Sequence, residues 1–240
     1  MSQPNLLLVS TSKVHDTDYM EYLLPQVKRF FRGSREVLFL PYARPGGISY
    51  EEYTELPRKA FAKIGLKVKG THEHPDPVKA VGRAEAIFTG GGNTFLLLKT
   101  LCEKGVLQPL QKAVAQGTRY MGSSAGSNIA GPSIGTSNDM PIVYPPRFEG
   151  LGWVPFNINP HYLDPDPDST HQGETRERRI NEFHVHNTQP VIGLREGSWL
   201  RVEGRKLKLK GPHPAPLFRR DQEPVELEPG DISFLLRENS

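Results

Sequence analysis

The chain has 240 residues, with 30 lysines and arginines against 27 aspartates and glutamates, which gives a formal net charge of +3. Acids and bases are interleaved, so the composition argues against a nucleic-acid-binding surface. The single cysteine excludes an internal disulfide framework and favours a reducing, cytoplasmic location. The apolar runs are too short for a signal peptide or a membrane-spanning helix, so we expect no membrane partner.

Short apolar runs alternate with longer amphipathic ones over the first half of the chain. Buried strands are predicted at residues 6–9, 37–40, 66–69, 86–89 and 119–121. Helices are predicted at residues 18–31, 51–64, 76–81, 94–101 and 106–115. This alternation predicts right-handed βαβ units and a parallel sheet that is covered by helices on both faces.

The second half of the chain has a different sequence pattern. Residues 132–168 are rich in proline and poor in helix-forming runs, which is typical of a shaped, functional loop. After residue 190, short strands with glycine turns are predicted at residues 191–194, 199–202, 207–209 and 216–218. We expect these strands to form hairpins appended to the main sheet, and the whole chain, residues 1–240, to form a single domain.

A Gly-x-Ser-x-Gly pattern occupies residues 122–126, with Ser124 at its centre. It follows a predicted strand and precedes small residues that can begin a helix, which is the context of a nucleophile elbow. A glycine- and serine-rich turn without catalytic function is the alternative. Ser124 is therefore the candidate nucleophile, and Ser123 is a second hydroxyl beside it.

Three glycines at residues 90–92 form a turn between another predicted strand and a helix. The turn lacks the spacing of a P-loop, and Phe95 stands where a dinucleotide-binding motif needs glycine. Because glycine has no side chain, the N–H groups of this turn are accessible and can face a developing oxyanion. We therefore prefer an oxyanion role over a phosphate-binding role or a plain tight turn.

A serine nucleophile needs a base, and eight histidines are available. His161 is the favoured candidate because apolar residues flank it and can hold it near the edge of the sheet. His171 lies in a polar loop, and His184 and His186 are expected at the surface near a helix end. These two histidines have no further ligand at metal-binding spacing, so we predict neither a metal nor a cofactor.

The base in turn needs an acid that orients it. Glu196 lies just after a predicted strand, where its carboxylate can reach a histidine in a neighbouring loop. Glu174 and Asp164 are rival candidates, and spacing alone does not decide between the three.

Six segments carry a resemblance to a known family: residues 90–95 (GGGNTF), 122–128 (GSSAGSN), 136–141 (TSNDMP), 158–161 (INPH), 173–176 (GETR) and 192–197 (IGLREG). Together and in this order they resemble peptidase E, the family of cytosolic aspartyl dipeptidases. The resemblance implies a three-layer αβα fold with a mostly parallel central sheet, similar to the class I glutamine amidotransferases and flavodoxin-like, with extra C-terminal β-hairpins.

The resemblance also implies roles for individual residues. It implies a triad in which Ser124 is the nucleophile, His161 the base and Glu196 the acid. It further implies that the N–H groups of Gly92 and Ala125 form the oxyanion hole, and that no metal or cofactor takes part.

Two charged residues are implied to bind the substrate, a dipeptide with an N-terminal aspartate. Asp139 can pair with the substrate ammonium, and Arg176 can clamp a carboxylate with two hydrogen bonds. The alternatives are that Asp139 only caps a turn and that Arg176 belongs to a solvated helix face. We expect a monomer or a homodimer.

Other function classes remain open from the sequence. A cyanophycinase-like enzyme or another serine hydrolase of aspartyl peptides is the nearest alternative, followed by a generic esterase. A glutamine amidotransferase is disfavoured because its elbow nucleophile is cysteine, whereas this chain has Ser124. A catalytically silent small-molecule-binding domain is the alternative outside the enzymes.

Overall fold

The computed structural model describes residues 4–166, 168, 170 and 173–237. Five parallel strands form the centre of its main sheet: β1 (Asn5–Val9), β2 (Glu36–Leu40), β3 (Lys67–Gly70), β4 (Ala86–Thr89) and β5 (Arg119–Ser123). Their spatial order is β1-β5-β4-β2-β3, so the chain passes from β1 across to β2 and β3 and then returns through β4 and β5 to pair with β1. The predicted doubly covered α/β architecture is confirmed.

Helices connect these strands and cover both faces: α1 (Leu24–Phe30), α2 (Tyr50–Ala62), α3 (Pro77–Arg83), α4 (Thr94–Glu103) and α5 (Leu107–Ala115). Alternate residues of β1 enter two different buried clusters, Leu6 and Leu8 in one and Leu7 and Val9 in the other. This continuous burial is typical of a parallel strand between two helical layers.

One helix start differs from the prediction by more than one residue. The first helix begins at Leu24 rather than at residue 18, with proline in its first turn, where the missing N–H costs nothing. The second helix begins at Tyr50 and contains Pro57 in its interior. A capping box of Ser49 and Glu52 stabilises its start, so the helix begins well before Pro57.

Three C-terminal strands extend the main sheet beyond β1: β8 (Trp199–Glu203), β9 (Lys206–Lys210) and β12 (Gly230–Asp231). All three join antiparallel, and β8 pairs directly with β1. In β9 the leucines are buried and the lysines exposed, as the alternating pattern predicts.

A second sheet was not predicted. It has four strands, β6 (Asn157–Tyr162), β7 (Val191–Arg195), β10 (Ala215–Phe218) and β11 (Val225–Leu227), in the order β11-β10-β7-β6. The expectation that all C-terminal strands append to the main sheet is therefore wrong for β7 and β10, which pair with each other and with β6 or β11.

Two further helices complete the described chain: α6 (Ala125–Asn128) and α7 (Arg176–His186). The first is a single turn that follows β5, and the second precedes β7. Among the helices that the structure describes, none has the length and apolar character needed to cross a membrane.

Candidate active site

The turn at the end of β5 carries the candidate nucleophile. Ser124 has a φ of 52° and a ψ of −111°, and such a conformation costs a non-glycine residue about 1–3 kcal/mol. The flanking glycines make this turn possible, because a Cβ at Gly122 would lie 2.2 Å from Gly126 O and a Cβ at Gly126 would lie 2.3 Å from Thr89 O. The local geometry is that of a nucleophile elbow.

A chain of hydrogen-bond contacts runs from this turn to a carboxylate. Ser124 Oγ lies 2.9 Å from His161 Nε2, and His161 Nδ1 lies 2.6 Å from Glu196 Oε1. Since a carboxylate only accepts, Nδ1 of the neutral ring donates to Glu196, and Nε2 accepts from the Ser124 hydroxyl. The structure thus brings together the three residues that the sequence indicated, in an arrangement that activates a serine.

His161 reaches this position through an irregularity in β6. Pro160 pairs with Leu194 and Tyr162 pairs with Arg195, so His161 is the extra residue of a β-bulge. Its φ is 53°, in the left-handed region. A bulge re-aims one side chain and is common beside active sites. Here it directs the imidazole towards Ser124.

Glu196 begins the turn after β7, with 54% of its side chain exposed against 38% for His161. Tyr22 lies close by, and its hydroxyl donates to Thr11 O at 2.7 Å. Burial and, to a smaller extent, the negative charge of Glu196 raise the pKa of the Tyr22 phenol well above its usual value. The sequence carries no motif that would have marked Tyr22.

The two rival acids have other partners. Asp164 accepts two hydrogen bonds from the Arg195 guanidinium, at 2.7 and 2.6 Å. Glu174 lies 3.6 Å from Arg179. Neither carboxylate is the one that contacts His161.

Three other candidates of the sequence have definite outcomes. Ser123 is fully buried, and in the described chain its hydroxyl has no hydrogen-bond partner. The expectation of a surface position for His184 is wrong, because its ring is buried with Nε2 3.0 Å from Gln189 O. His171 lies outside the described residues.

The glycine turn after β4 lies against the nucleophile. A Cβ at Gly91 would be 3.0 Å from Ser124 Cβ, and Gly92 has a φ of 141° that favours glycine. A Cβ at Gly92 would also lie 2.2 Å from Ala43 O. Within the part of the chain that the structure describes, the N–H groups of Gly92 and Ala125 donate to no protein acceptor, so both are available to a ligand.

Asp139 lies at the N-terminus of α4, next to the glycine turn. Its Oδ2 accepts from Thr94 N at 2.7 Å, from Thr94 Oγ1 at 2.7 Å and from Ser137 Oγ at 2.9 Å. A carboxylate at this end of a helix is stabilised by the helix dipole. These contacts engage one carboxylate oxygen and hold Asp139 in one orientation.

Arg176 is the first residue of α7 and lines a cavity of about 380 Å³ with Leu163, Asp164 and Glu174 among its walls. Burial is the main cause that lowers the pKa of its guanidinium, followed by the charge of Arg179. The negative charge of Asp139 acts in the opposite direction. The two charged residues expected to bind substrate therefore lie close enough to influence each other.

One further group of side chains has metal-ligand character. The ligand atoms of Glu51, His72 and Glu73 lie within 4.8 Å of one another. The Arg58 guanidinium, however, donates to both carboxylates at 2.8 Å. The group thus already has a cation, and in the described parts of the chain no hydrogen bond or ion pair joins it to Ser124, His161 or Glu196.

Comparison with known proteins identifies the family. The model of peptidase family S51 matches residues 6–210. A protein of Streptomyces coelicolor named Peptidase E is 52% identical over 233 residues, which cover 97% of this chain and 95% of that protein. A probable alpha-aspartyl dipeptidase of Drosophila melanogaster is 48% identical and covers 98% of this chain and 99% of its own length.

Solved structures agree on the fold. A peptidase from an acI-B1 actinobacterium aligns with a TM-score of 0.72 at 19% identity, over 97% of this chain and 98% of its own. A putative peptidase E protein of Listeria monocytogenes aligns with a TM-score of 0.64 at 21% identity, over 88% of this chain and all of its own. From the family match and the close relatives, this chain belongs to peptidase family S51.

Proposed function

We propose that this chain is a serine dipeptidase that hydrolyses dipeptides with an N-terminal aspartate. The observation that carries the proposal is the hydrogen-bonded series Ser124–His161–Glu196, which a member of family S51 presents beside two free backbone N–H groups. Relatives that span nearly the whole chain are named Peptidase E and probable alpha-aspartyl dipeptidase, which supports the same substrate class here.

Acylation begins at Ser124. His161 Nε2 accepts the hydroxyl proton while Oγ attacks the carbonyl carbon of the aspartyl residue. Glu196 keeps the imidazole in the required tautomer and stabilises the imidazolium. The N–H groups of Gly92 and Ala125 donate to the oxyanion, and each such donor is typically worth about 3 kcal/mol in the transition state.

The leaving amine takes the proton back from His161, and the C–N bond breaks to give an aspartyl ester of Ser124. Water then enters, His161 removes its proton, and the second tetrahedral intermediate collapses to free aspartate and Ser124. Every step uses side chains or backbone N–H groups of the chain itself.

Substrate selection follows from a pair of opposite charges. Asp139 and Arg176 interact through charge, and among the described residues no hydrogen bond joins them. An N-terminal aspartate also carries opposite charges close together, an ammonium and a carboxylate. Asp139, with one oxygen fixed by three donors, pairs with the ammonium, and Arg176 binds the carboxylate in two-pronged fashion.

The organisation of the molecule is part of the proposal. The nucleophile lies on the main sheet, and the base and acid lie on the second sheet, so we treat residues 1–240 as one catalytic domain. A cytoplasmic location and a monomeric or homodimeric state complete the proposal.

A panel of peptides tests the function. The purified chain is incubated with Asp-Leu, Glu-Leu, Ala-Leu and a longer peptide that begins with aspartate, and products are identified by mass spectrometry. We expect release of aspartate from Asp-Leu and far slower cleavage of the others. Equal cleavage of Ala-Leu would overturn the aspartyl specificity, and no cleavage of any peptide would overturn the dipeptidase assignment.

A further inference from the structure

The candidate active site is assembled from two sheets whose buried residues share one apolar cluster. Ser124 follows β5 of the eight-stranded sheet, whereas His161 and Glu196 belong to β6 and the end of β7 in the four-stranded sheet. Among the described strands no ladder of backbone hydrogen bonds connects the sheets, so the 2.9 Å contact between Ser124 and His161 depends on this packing and on other links.

Ser10 provides such a link at the site itself. It follows β1 of the main sheet and is fully buried. Its hydroxyl donates to Leu194 O of β7 at 2.7 Å and accepts from His161 N of β6 at 2.9 Å. One side chain of the first sheet therefore binds both strands of the second sheet that carry the base and the acid.

The neighbouring backbone binds the remaining triad segment. Val9 O accepts from Ser124 N at 3.0 Å, and Ser10 N donates at 3.1 Å to the carbonyl of Ser198, the residue before β8. The end of β1 is thus in contact with the nucleophile turn and, one residue later, with the base and acid strands. Asn128 makes a further bridge, but it reaches Ile158 O, three residues before His161.

The hydrogen bond from His161 N to the Ser10 hydroxyl is important because His161 lies in the bulge of β6. His161 has no partner residue in the ladder between β6 and β7, and its φ of 53° is unfavourable for a residue with a Cβ. The Ser10 hydroxyl supplies the acceptor that the ladder does not. Without it, the partly buried N–H of His161 would lack an acceptor among the described residues, which would favour relaxation of this residue towards an extended backbone.

We propose that Ser10 is a positioning residue for the triad: its hydroxyl holds the His161 bulge and β7 against the main sheet and so fixes the imidazole at bonding distance from Ser124. This inference rests on the proposed function of Ser124 and His161. Ser10 touches no reacting atom and acts only through the backbone of the base.

The test compares Ser10→Ala with Ser198→Ala. Ser198 is also a fully buried serine two residues after Glu196, and its hydroxyl donates to His213 O at 3.2 Å rather than to the strand of the base. The main measurement is the rate at which a fluorophosphonate probe labels Ser124, because this reaction needs the serine–histidine pair but not the aspartyl substrate. Melting temperature, kcat and KM for Asp-Leu are recorded for each variant.

We expect both variants to melt slightly below the parent chain, since each loses one buried hydrogen bond. Only Ser10→Ala should slow labelling and kcat, by ~10²-fold if the imidazole shifts by about 1 Å, with KM little changed. Ser10→Thr, which retains the hydroxyl, should recover most of the labelling rate.

The outcomes distinguish a failure of the positioning role of Ser10 from a failure of the proposed function. Labelling of Ser10→Ala at the parent rate, or equal slowing in Ser10→Ala and Ser198→Ala, would overturn the positioning role alone. A failure of Ser10→Thr to recover labelling at an unchanged melting temperature would also contradict it. If the parent chain itself is not labelled, the proposed function fails and the inference fails with it.

Discussion

The two halves of the site are built in different ways. The nucleophile side comprises Ser124 and the glycine turn at residues 90–92, both placed at the ends of neighbouring parallel strands of the main sheet. The base side comprises His161 and Glu196, which the smaller sheet provides from a bulge and a turn.

The two sides also differ in their surroundings. Ser124 lies between buried strands and glycines that leave no room for a Cβ, whereas His161 and Glu196 are 38% and 54% exposed in their side chains. Ser124 is thus held by close packing, and the backbone and ring of His161 by a small number of specific hydrogen bonds. Substitutions should therefore act through different physical causes on the two sides.

The largest effect is expected on the nucleophile side. Ser124→Ala removes the attacking oxygen, and loss of a serine nucleophile typically lowers kcat by about 10⁶-fold. Folding should be retained, because among the described residues His161 is the one hydrogen-bond partner of the Ser124 hydroxyl. Hydrolysis of Asp-Leu and thermal unfolding measure both quantities.

Ser123→Ala is the matched control for this variant. It removes a buried hydroxyl that has no partner in the described chain, so activity should persist, and the melting temperature should stay level or rise. Loss of activity in Ser123→Ala with activity kept in Ser124→Ala would reverse the assignment.

A second prediction concerns Glu196 and removes its charge while keeping the size of its side chain. Glu196→Gln removes the charge that stabilises the imidazolium and can select the wrong tautomer of His161, so kcat should fall by about 10²- to 10⁴-fold. Glu226→Gln makes the same exchange in the same small sheet, at a carboxylate that contacts Arg195 instead. Steady-state kinetics of Asp-Leu should distinguish them, and a similar kcat in both variants would remove Glu196 from the triad.

A third prediction concerns specificity. Arg176→Lys keeps the positive charge but loses two-pronged binding of a carboxylate, and kcat/KM for Asp-Leu should fall by about 10- to 100-fold, the equivalent of a charge-assisted hydrogen bond. Arg179→Lys, on the same helix and paired with Glu174, is the control. If both variants cleave Asp-Leu alike, Arg176 is part of a solvated helix face.

The smallest effect on catalysis is expected at Arg195, whose side chain connects β7 to Asp164 and Glu226. Its guanidinium donates to Asp164, to Glu226 and to Pro214 O. Arg195→Ala should lower the free energy of unfolding by about 1–3 kcal/mol, a modest amount because both acids are half exposed. Arg178→Ala, which breaks the exposed contact with Glu182, should change stability very little.

The same variant has a pH signature. The hydrogen bond from Arg195 holds the pKa of Asp164 below its usual value. A depressed pKa in the folded state contributes stability above the ordinary value of about 3.9, and this contribution is lost as the pH falls through the folded value. Between about pH 5 and about pH 3, the melting temperature should therefore fall more steeply with decreasing pH for the parent chain than for Arg195→Ala. An equal pH dependence of the two melting temperatures would contradict the pairing of Arg195 with Asp164.

The sequence predicted the structural elements around Ser124 well because their signals are local. The strand, the Gly-x-Ser-x-Gly turn and the start of α6 are consecutive in the chain, and the glycine turn after β4 follows the same logic. The five central strands were found at nearly their observed bounds, since each is a short apolar run between helices.

The base side could not be predicted in the same way. His161 and Glu196 were indicated by their flanking residues and by resemblance, but β6 was not predicted as a strand. This strand contains Pro160, which has no N–H to donate to a neighbouring strand. Among the described strands it pairs with β7 alone, and the helix α7 separates the two strands in the chain. The link from Ser10 joins residues 151 and 184 positions apart, which no local pattern reports.

The central claim is that Ser124 is a nucleophile in a pocket that recognises an N-terminal aspartate. The most direct measurement is mass-spectrometric mapping of a fluorophosphonate adduct, with and without an excess of Asp-Leu or Ala-Leu. The account predicts a single adduct on Ser124, slowed by Asp-Leu and not by Ala-Leu. An adduct on any other residue, no adduct, or equal protection by both dipeptides would contradict it.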